Sequence, residues 1–273
     1  MFQQVKSNNN LRSAYSIAMV IYHSTVRDVR AGHSNAFVAL LMSIFQSLTL
    51  VVAFYMMFTL LGLKGAKVRG DFVLYIMSGI FMYMTHVKAV SSVMGASDPT
   101  SPMMQHAPMT TAVSILSAAM STLYIQTLSL FFVLFGYHTI VTPFVIEDPV
   151  SSFAMFLLSW AVGCAVGLVL FALKPWFPAF TSMFSTIYRR VQMFASGKMF
   201  VANALPSAMI AMFDWNPLFH IIDQVRGYMF INYFPRNSNW EYAMYVGIAL
   251  VMIGLMGEFY TRQQASSSWA ARR

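Results

Sequence analysis

The sequence predicts an all-α polytopic membrane protein. It should have six transmembrane helices, an N-terminal interfacial amphipathic helix, and a re-entrant segment after the fifth helix. Three observations predict this. The 273 residues are 58% hydrophobic and only 10% charged, whereas soluble domains run at about 45–50% apolar and about 25% charged. Mean hydropathy is +0.61. Nearly uncharged stretches of about 20 residues, the length that crosses a ~30 Å hydrocarbon core, recur along the chain. Lone Cys164 excludes a disulfide scaffold, and the scarcity of charge excludes a disordered chain.

Residues 1–35 form the cytosolic N-terminus and the interfacial helix. The first ten residues include Gln3, Gln4, Lys6, Ser7, Asn8, Asn9 and Asn10. A secretory signal needs an apolar run there, so no cleavable leader is expected and the first span directs insertion. Residues 11–30 are not a span, because charges return too soon. Leu11, Tyr15, Ala18, Tyr22, Val26 and Val29 recur at three- and four-residue steps and make one apolar stripe. Ser16, His23, Arg27 and Arg30 follow the same steps on another face. Such a helix rests in the headgroup boundary. It serves either as a plain anchor or as a docking surface for a cytosolic partner through Arg27, Asp28 and Arg30.

Residues 36–260 form the transmembrane domain. Spans are expected at 36–61, 72–94, 109–137, 149–173 and 242–260. Lys88 lies near the cytosolic end of the second and can snorkel. The stretch between Lys174 and Glu241 is different. Its apolar runs, 175–188 and 199–213, are each too short to cross, and Arg189-Arg190 follows the first. This pattern reads as a fifth span at 176–195 followed by a re-entrant segment at 196–213. Irregular backbone at membrane depth is tolerated only where protein or a water-filled cavity surrounds it.

Six spans put both termini on one side. Lys6, Arg12, Arg27 and Arg30 precede the first span. Residues 261–273, the tail, carry Arg262, Arg272 and Arg273, while Glu147 and Asp148 fall in an opposite loop. The positive-inside rule then makes both termini cytosolic. Lys64, Lys67 and Arg69 dissent from an outer loop but are outweighed. The polar stretch 95–107, with Asp98, Gln105 and His106, becomes a cytosolic loop.

The chemistry is selective in what it omits. No G-x-x-x-x-G-K-[ST] loop is present, and Gly197-Lys198-Met199 lacks both the upstream glycine and the hydroxyl. No G-x-S-x-G or H-E-x-x-H occurs, and the six histidines are dispersed. An intramembrane enzyme is therefore disfavoured. An ion-driven transporter is disfavoured too, because no acidic residue lies mid-span. Cys164 sits in a small-residue run, 161–167, suited to close helix packing. Trp176, Trp215, Tyr228, Tyr233, Trp240, Tyr242 and Tyr245 fit an interfacial belt. Arg189 and Arg190 are the most informative charges. At ~1.5 Å per residue from position 176 they lie about 20 Å deep, where an arginine costs at least about 2.5–3.5 kcal/mol. Either the span is shifted so that both reach headgroups, or they line a polar cavity that meets an anionic substrate.

Several segments together carry a resemblance. Val26-Arg27-Asp28-Val29-Arg30 precedes the first span, and Gln105-His106-Ala107-Pro108-Met109 enters the third. The run Met193-Phe194-Ala195-Ser196-Gly197 leads to Ala204-Leu205-Pro206. Trp215-Asn216-Pro217-Leu218-Phe219-His220 follows, then Arg226, with Tyr260-Thr261-Arg262 closing the last span. In order, spacing and placement these resemble the membrane (permease) subunit of type-2 ABC exporters, specifically the capsular polysaccharide export family. Lys198 and the Arg189-Arg190 pair depart from its pattern.

The resemblance implies a transporter subunit rather than an enzyme. It implies a homodimer paired with two copies of a separate ABC ATPase, on which ATP and Mg would bind, with no cofactor or metal in this chain. It implies export of a lipid-linked, capsule-type polysaccharide across a bacterial inner membrane. Periplasmic and outer-membrane export proteins would follow, and nucleic acid has no part. The alternative substrates are an O-antigen-type glycan, a drug or a lipid. Combined with the residue reading, Arg27, Asp28, Arg30, Asp98 and His106 are expected to couple to the ATPase. Arg189, Arg190 and Lys88 are expected on the substrate path. Asn216, Pro217 and Leu218 belong to the family motif, and Asn216 and Pro217 are expected to shape the external turn rather than touch substrate, since proline disfavours helix at the residue before it.

Overall fold

A computed structural model describes residues 10–31, 35–62, 71–97 and 110–264. Among these, nine α-helices follow in order: α1 (Asn10–Ala31), α2 (Ala36–Leu60), α3 (Phe72–Met94), α4 (Thr111–Ile140), α5 (Pro149–Leu173), α6 (Pro178–Ala195), α7 (Ser207–Phe213), α8 (Pro217–Met229) and α9 (Trp240–Gln264). Asp98 and His106 lie outside the described residues, as do the outer-loop cations Lys64, Lys67 and Arg69.

Five helices, α2, α3, α4, α5 and α9, are long and apolar enough to cross a membrane. They match the five clear spans expected from the sequence, although α4 runs to Ile140 and α9 from Trp240 to Gln264. Helix α6 is not among them. It has 18 residues and carries Thr181, Ser185, Arg189, Arg190 and Gln192. The chain is thus a helical assembly compatible with a multi-pass membrane protein.

Helix boundaries have local causes. Asn35, Asp71, Thr110, Asp148 and Asn216 each accept from a backbone N–H of the first turn of the helix they precede, satisfying donors with no intrahelical acceptor. Proline opens α5, α6 and α8, where its missing N–H costs nothing. Helix α6 ends at Ser196 and Gly197, the latter at φ +76°. That left-handed conformation suits glycine just beyond a helix.

Helix α3 is the inner strut. Its buried residues run from Leu74 to Val93 and include Thr85 and His86. It packs against α2, α4, α5, α6 and α8. By contrast α9 buries only Ala243, Gly247, Gly254 and Thr261, and α2 leaves Phe37, Leu41, Phe45, Val52, Met56 and Leu60 bare. In lipid, apolar burial does not drive helices together, so close backbone approach and interhelical hydrogen bonds must. The small-residue run of α5 supplies the approach. A Cβ on Gly163 would lie 2.6 Å from the His86 carbonyl oxygen of α3, and one on Gly167 2.9 Å from that of Val90. On the other side of α5, a Cβ on Gly254 of α9 would lie 2.7 Å from Leu168.

Polar ties mark the two ends of the assembly. At one end Tyr137 of α4 donates to Asp71 at the start of α3, 2.6 Å, and the Asp148 N–H donates to the Tyr228 carbonyl, 2.9 Å. At the other end Ser117 of α4 donates to Asp28 of α1, 2.6 Å, and Thr111 donates to Glu258 of α9. Trp176 also donates there, to Thr261, 2.9 Å.

Candidate functional site

Helix α6 is inverted in its polarity. Phe180, Met183, Phe184, Ile187, Val191 and Phe194 point outward and are exposed. Thr181, Ser185 and Gln192 are buried. Spaced four, three and four residues apart, Thr181, Ser185, Tyr188 and Gln192 form one inward stripe. Polar groups facing a protein interior from an apolar-coated helix need partners. Thr181 donates to carbonyls of its own first turn, Tyr188 meets His86 of α3 and Gln192 meets Asn216 ahead of α8, while the Ser185 hydroxyl has none among the described residues.

Two tyrosine hydroxyls tie α6 to α3 in opposite senses. Tyr83 of α3 donates to the Arg189 carbonyl, 3.2 Å. Tyr188 of α6 meets Nε2 of His86 at 2.8 Å, while Nδ1 of His86 meets the Ser159 carbonyl of α5 at 3.2 Å. A carbonyl only accepts, so Nδ1 carries the proton and Nε2 accepts from Tyr188. His86 is fully buried and links three helices.

Farther along, Gln192 and Asn216 exchange two amide hydrogen bonds, 3.1 and 2.8 Å. Asn216 also donates to the Ala195 carbonyl and accepts from the Leu218 N–H. Asn216, Pro217 and Leu218, all buried, therefore shape a break between helices, as the motif suggests. Asn216 additionally cross-links α8 to the end of α6.

These ties hold Arg189 and Arg190 on a groove of about 360 Å³, which is also lined by Leu50 of α2, Tyr83, Met84 and Val87 of α3, and Thr186 and Met193 of α6. Both arginines are exposed. Among the described residues the Arg189 side chain hydrogen-bonds within its own helix, donating to the Ser185 carbonyl at 3.3 Å and to Thr186 at 3.4 Å. Among the described residues neither forms an ion pair; the two ion pairs there are Arg27–Asp28 and His220–Asp214. The groove therefore offers two guanidinium forks without a carboxylate, a geometry that takes oxyanions bidentately.

Lys88, expected beside the arginines, is half-buried and turned to α2. Its ammonium donates to Ser43 at 2.9 Å, and Gln126 of α4 donates to the same hydroxyl at 3.1 Å. It braces three helices, and its neighbour Val87, not Lys88, lines the groove.

The residues expected to couple to a partner are partly committed internally. Arg27 Nη2 lies 3.0 Å from Asp28 Oδ1, and Asp28 Oδ2 accepts from Ser117. Asp28 thus ties α1 to α4, while Arg30 is exposed. The apolar residues Tyr15, Ile17, Met19 and Tyr22 of α1 are also exposed.

Two further cations, Arg226 and Lys198, stand out in the sequence without an assigned role. Arg226 of α8 is 1% exposed, and its guanidinium donates to the carbonyls of Gly197 (3.0 Å), Phe200 (2.7 Å) and Lys198 (2.9 Å). Its Cζ lies 4.2 Å from the ring centre of Tyr75. It organises the turn that leaves α6. Lys198, in that turn, is 3% exposed. Its Nζ lies 3.4 Å from the ring centre of Tyr83 and 5.1 Å from that of Phe54. The sequence signal for the α6 stripe was its four-three-four polar spacing. Nothing in the sequence tells which carbonyls a distant arginine will satisfy.

The chain matches no protein-family profile, and no curated protein is detectably similar to it.

Proposed function

We propose that this chain is the permease subunit of an ATP-driven type-2 ABC exporter that moves an acidic, lipid-linked glycan of the capsule type across a bacterial inner membrane. The observation that carries this reading is the exposed Arg189-Arg190 pair in the groove between α2, α3 and α6. Guanidinium groups within the hydrocarbon are costly, and among the described residues no carboxylate pairs with these two. An anionic passenger supplies one. In this reading α6 is the fifth of six crossings, α7 and α8 return the chain, and both termini face the cytosol. The end bearing Asp28, Ser117 and Glu258 is then cytosolic.

Coupling enters at α1. The Asp28–Ser117 bond links α1 directly to α4, so a push on Arg27 and Arg30 by a cytosolic ATPase is passed into the bundle. Two copies of the chain and two of the ATPase complete the exporter.

A second reading, a lipid or lipid-like drug as the passenger, draws on a different feature. An apolar cavity of about 360 Å³ lies between α3, α4 and α5, lined by Met77, Phe81, Leu134, Val150, Phe153 and Phe156 among others. In the glycan reading it accommodates the acyl chains of the anchor.

Affinity purification from the native membrane tests the assignment. The chain should bring down an ATPase containing a complete P-loop, and Arg27→Glu with Arg30→Glu should reduce the yield of that partner. A chain that purifies alone and remains active without nucleotide would contradict the exporter reading.

A further inference from the structure

Lys198 has no role in the packing that explains its presence. Its ammonium is buried, and among the described residues Nζ has no hydrogen-bond partner. A buried, unpaired ammonium is unfavourable, and an apolar residue of similar volume in its place is often neutral or stabilising. Methionine has nearly the same length and adapts to irregular gaps. The aromatic faces of Tyr83 and Phe54 offset part of the cost through cation–π attraction, but among the described residues no acceptor takes the N–H donors.

The backbone at Lys198 is held by a hydrogen bond, whereas its ammonium rests against ring faces. Arg226 takes the Lys198 carbonyl at 2.9 Å. The Lys198 Cα and Cβ lie 2.9 Å from where a Gly79 Cβ would stand, so the turn sits directly on α3. Tyr83, which caps the ammonium at 3.4 Å, is also a wall of the Arg189-Arg190 groove. The Phe54 side of the cage is looser, at 5.1 Å, and Phe54 belongs to α2, a helix that leaves most of its surface bare.

We propose that Lys198 is a third anion-binding group of this groove. The ammonium is stored between Tyr83 and Phe54, and it is released to a carboxylate of an acidic glycan when α2 shifts away from α3. The proposal rests on reading the groove as the path of an anionic glycan. The tight Tyr83 face fixes where the charge waits, and the looser Phe54 face is where the cage opens. The ligand's carboxylate then accepts the hydrogen bonds that no described protein atom takes.

The test uses the full chain in phosphatidylcholine nanodiscs. The probes are oligogalacturonate and its fully methyl-esterified, neutral counterpart. Wild type should prefer the acid form. Lys198→Met should weaken binding of the acid form about tenfold, the size expected for losing a hydrogen bond to a charged group. It should leave ester binding unchanged and should not lower the unfolding temperature. Lys198→Arg should bind the acid form as wild type does. If Lys198→Met binds the acid form normally while Arg189→Ala with Arg190→Ala loses it, the inference about Lys198 is overturned and the groove reading stands. A lowered unfolding temperature in Lys198→Met would make the ammonium a structural cation and also overturn the inference. Absence of any acid preference in wild type would overturn both readings together.

Discussion

The hydroxyl of Tyr188 on α6 donates to Nε2 of His86 on α3 across 2.8 Å. His86 in turn holds the Ser159 carbonyl of α5, so one imidazole joins three helices. Interhelical hydrogen bonds in membrane proteins average about 0.6 kcal/mol and reach about 1.7. Tyr188→Phe leaves Nε2 without a donor and should cost about 1 kcal/mol. The fall should appear in thermal unfolding of the detergent-solubilised protein. An unchanged midpoint would show that α6 is held by other contacts.

Arg226 should be far less replaceable. It satisfies three carbonyls of the turn after α6, and hydrogen bonds to charged groups are worth about 1.5–3 kcal/mol each. Arg226→Met should lower stability by at least about 3 kcal/mol and deplete the protein from membranes. Arg226→Lys should be intermediate, because an ammonium lacks the planar fork. Equal membrane levels of all three proteins on quantitative blotting would refute this role.

Close packing makes a third prediction. Gly163→Ala would place its Cβ 2.6 Å from the His86 carbonyl oxygen, and backbone cannot swing aside as a flexible side chain can. Overpacking of this kind costs about 1–3 kcal/mol. The same change at Gly136, which has open space around its Cβ position, should be tolerated. Paired unfolding curves of the two variants check the contrast.

The five apolar helices were legible in the sequence because each is a long apolar run: residues 36–61, 109–137 and 149–173 hold no charge, and 72–94 and 242–260 hold one each, Lys88 and Glu258. That α5 packs closely was legible in the glycines of its small-residue run; that α3 is what Gly163 and Gly167 approach was not. Helix α6 was harder to read. Thr181, Ser185 and Gln192 face inward, and the exposed Arg189 and Arg190 interrupt the hydropathy signal on which span assignment depends. Lys88 illustrates a different limit. Its position in the helix was readable, but its turn toward Ser43 depends on where α2 lies. Asp28 was marked as a surface contact, and only packing reveals that Ser117 takes one of its oxygens. Lys198 and Arg226 are joined through backbone carbonyls, which leave no trace in residue identity.

Asp148 gives a pH prediction. The Ser151 hydroxyl and then the Ser151 N–H hold its carboxyl below the usual value of 3.8. A depressed folded value means that the cap's stabilisation of α5 is fully present above pH 3.8 and is lost as pH falls through the lower, folded value. Wild type should therefore lose stability on acidification in that window. Asp148→Asn, which still caps but does not titrate, should lack that component. Unfolding midpoints measured from pH 6 to pH 2.5, spanning the usual carboxylate range, would reveal the difference, and parallel curves would exclude the cap as its source.

The central claim is that Arg189 and Arg190 carry an anionic glycan along the groove between α2, α3 and α6. The most direct measurement is surface polysaccharide on cells expressing Arg189→Ala with Arg190→Ala, with membrane abundance and ATPase co-purification determined on the same cells. The account predicts that the complex assembles at wild-type levels while surface polysaccharide disappears and accumulates inside. Surface polysaccharide at the wild-type level in that double variant would contradict it.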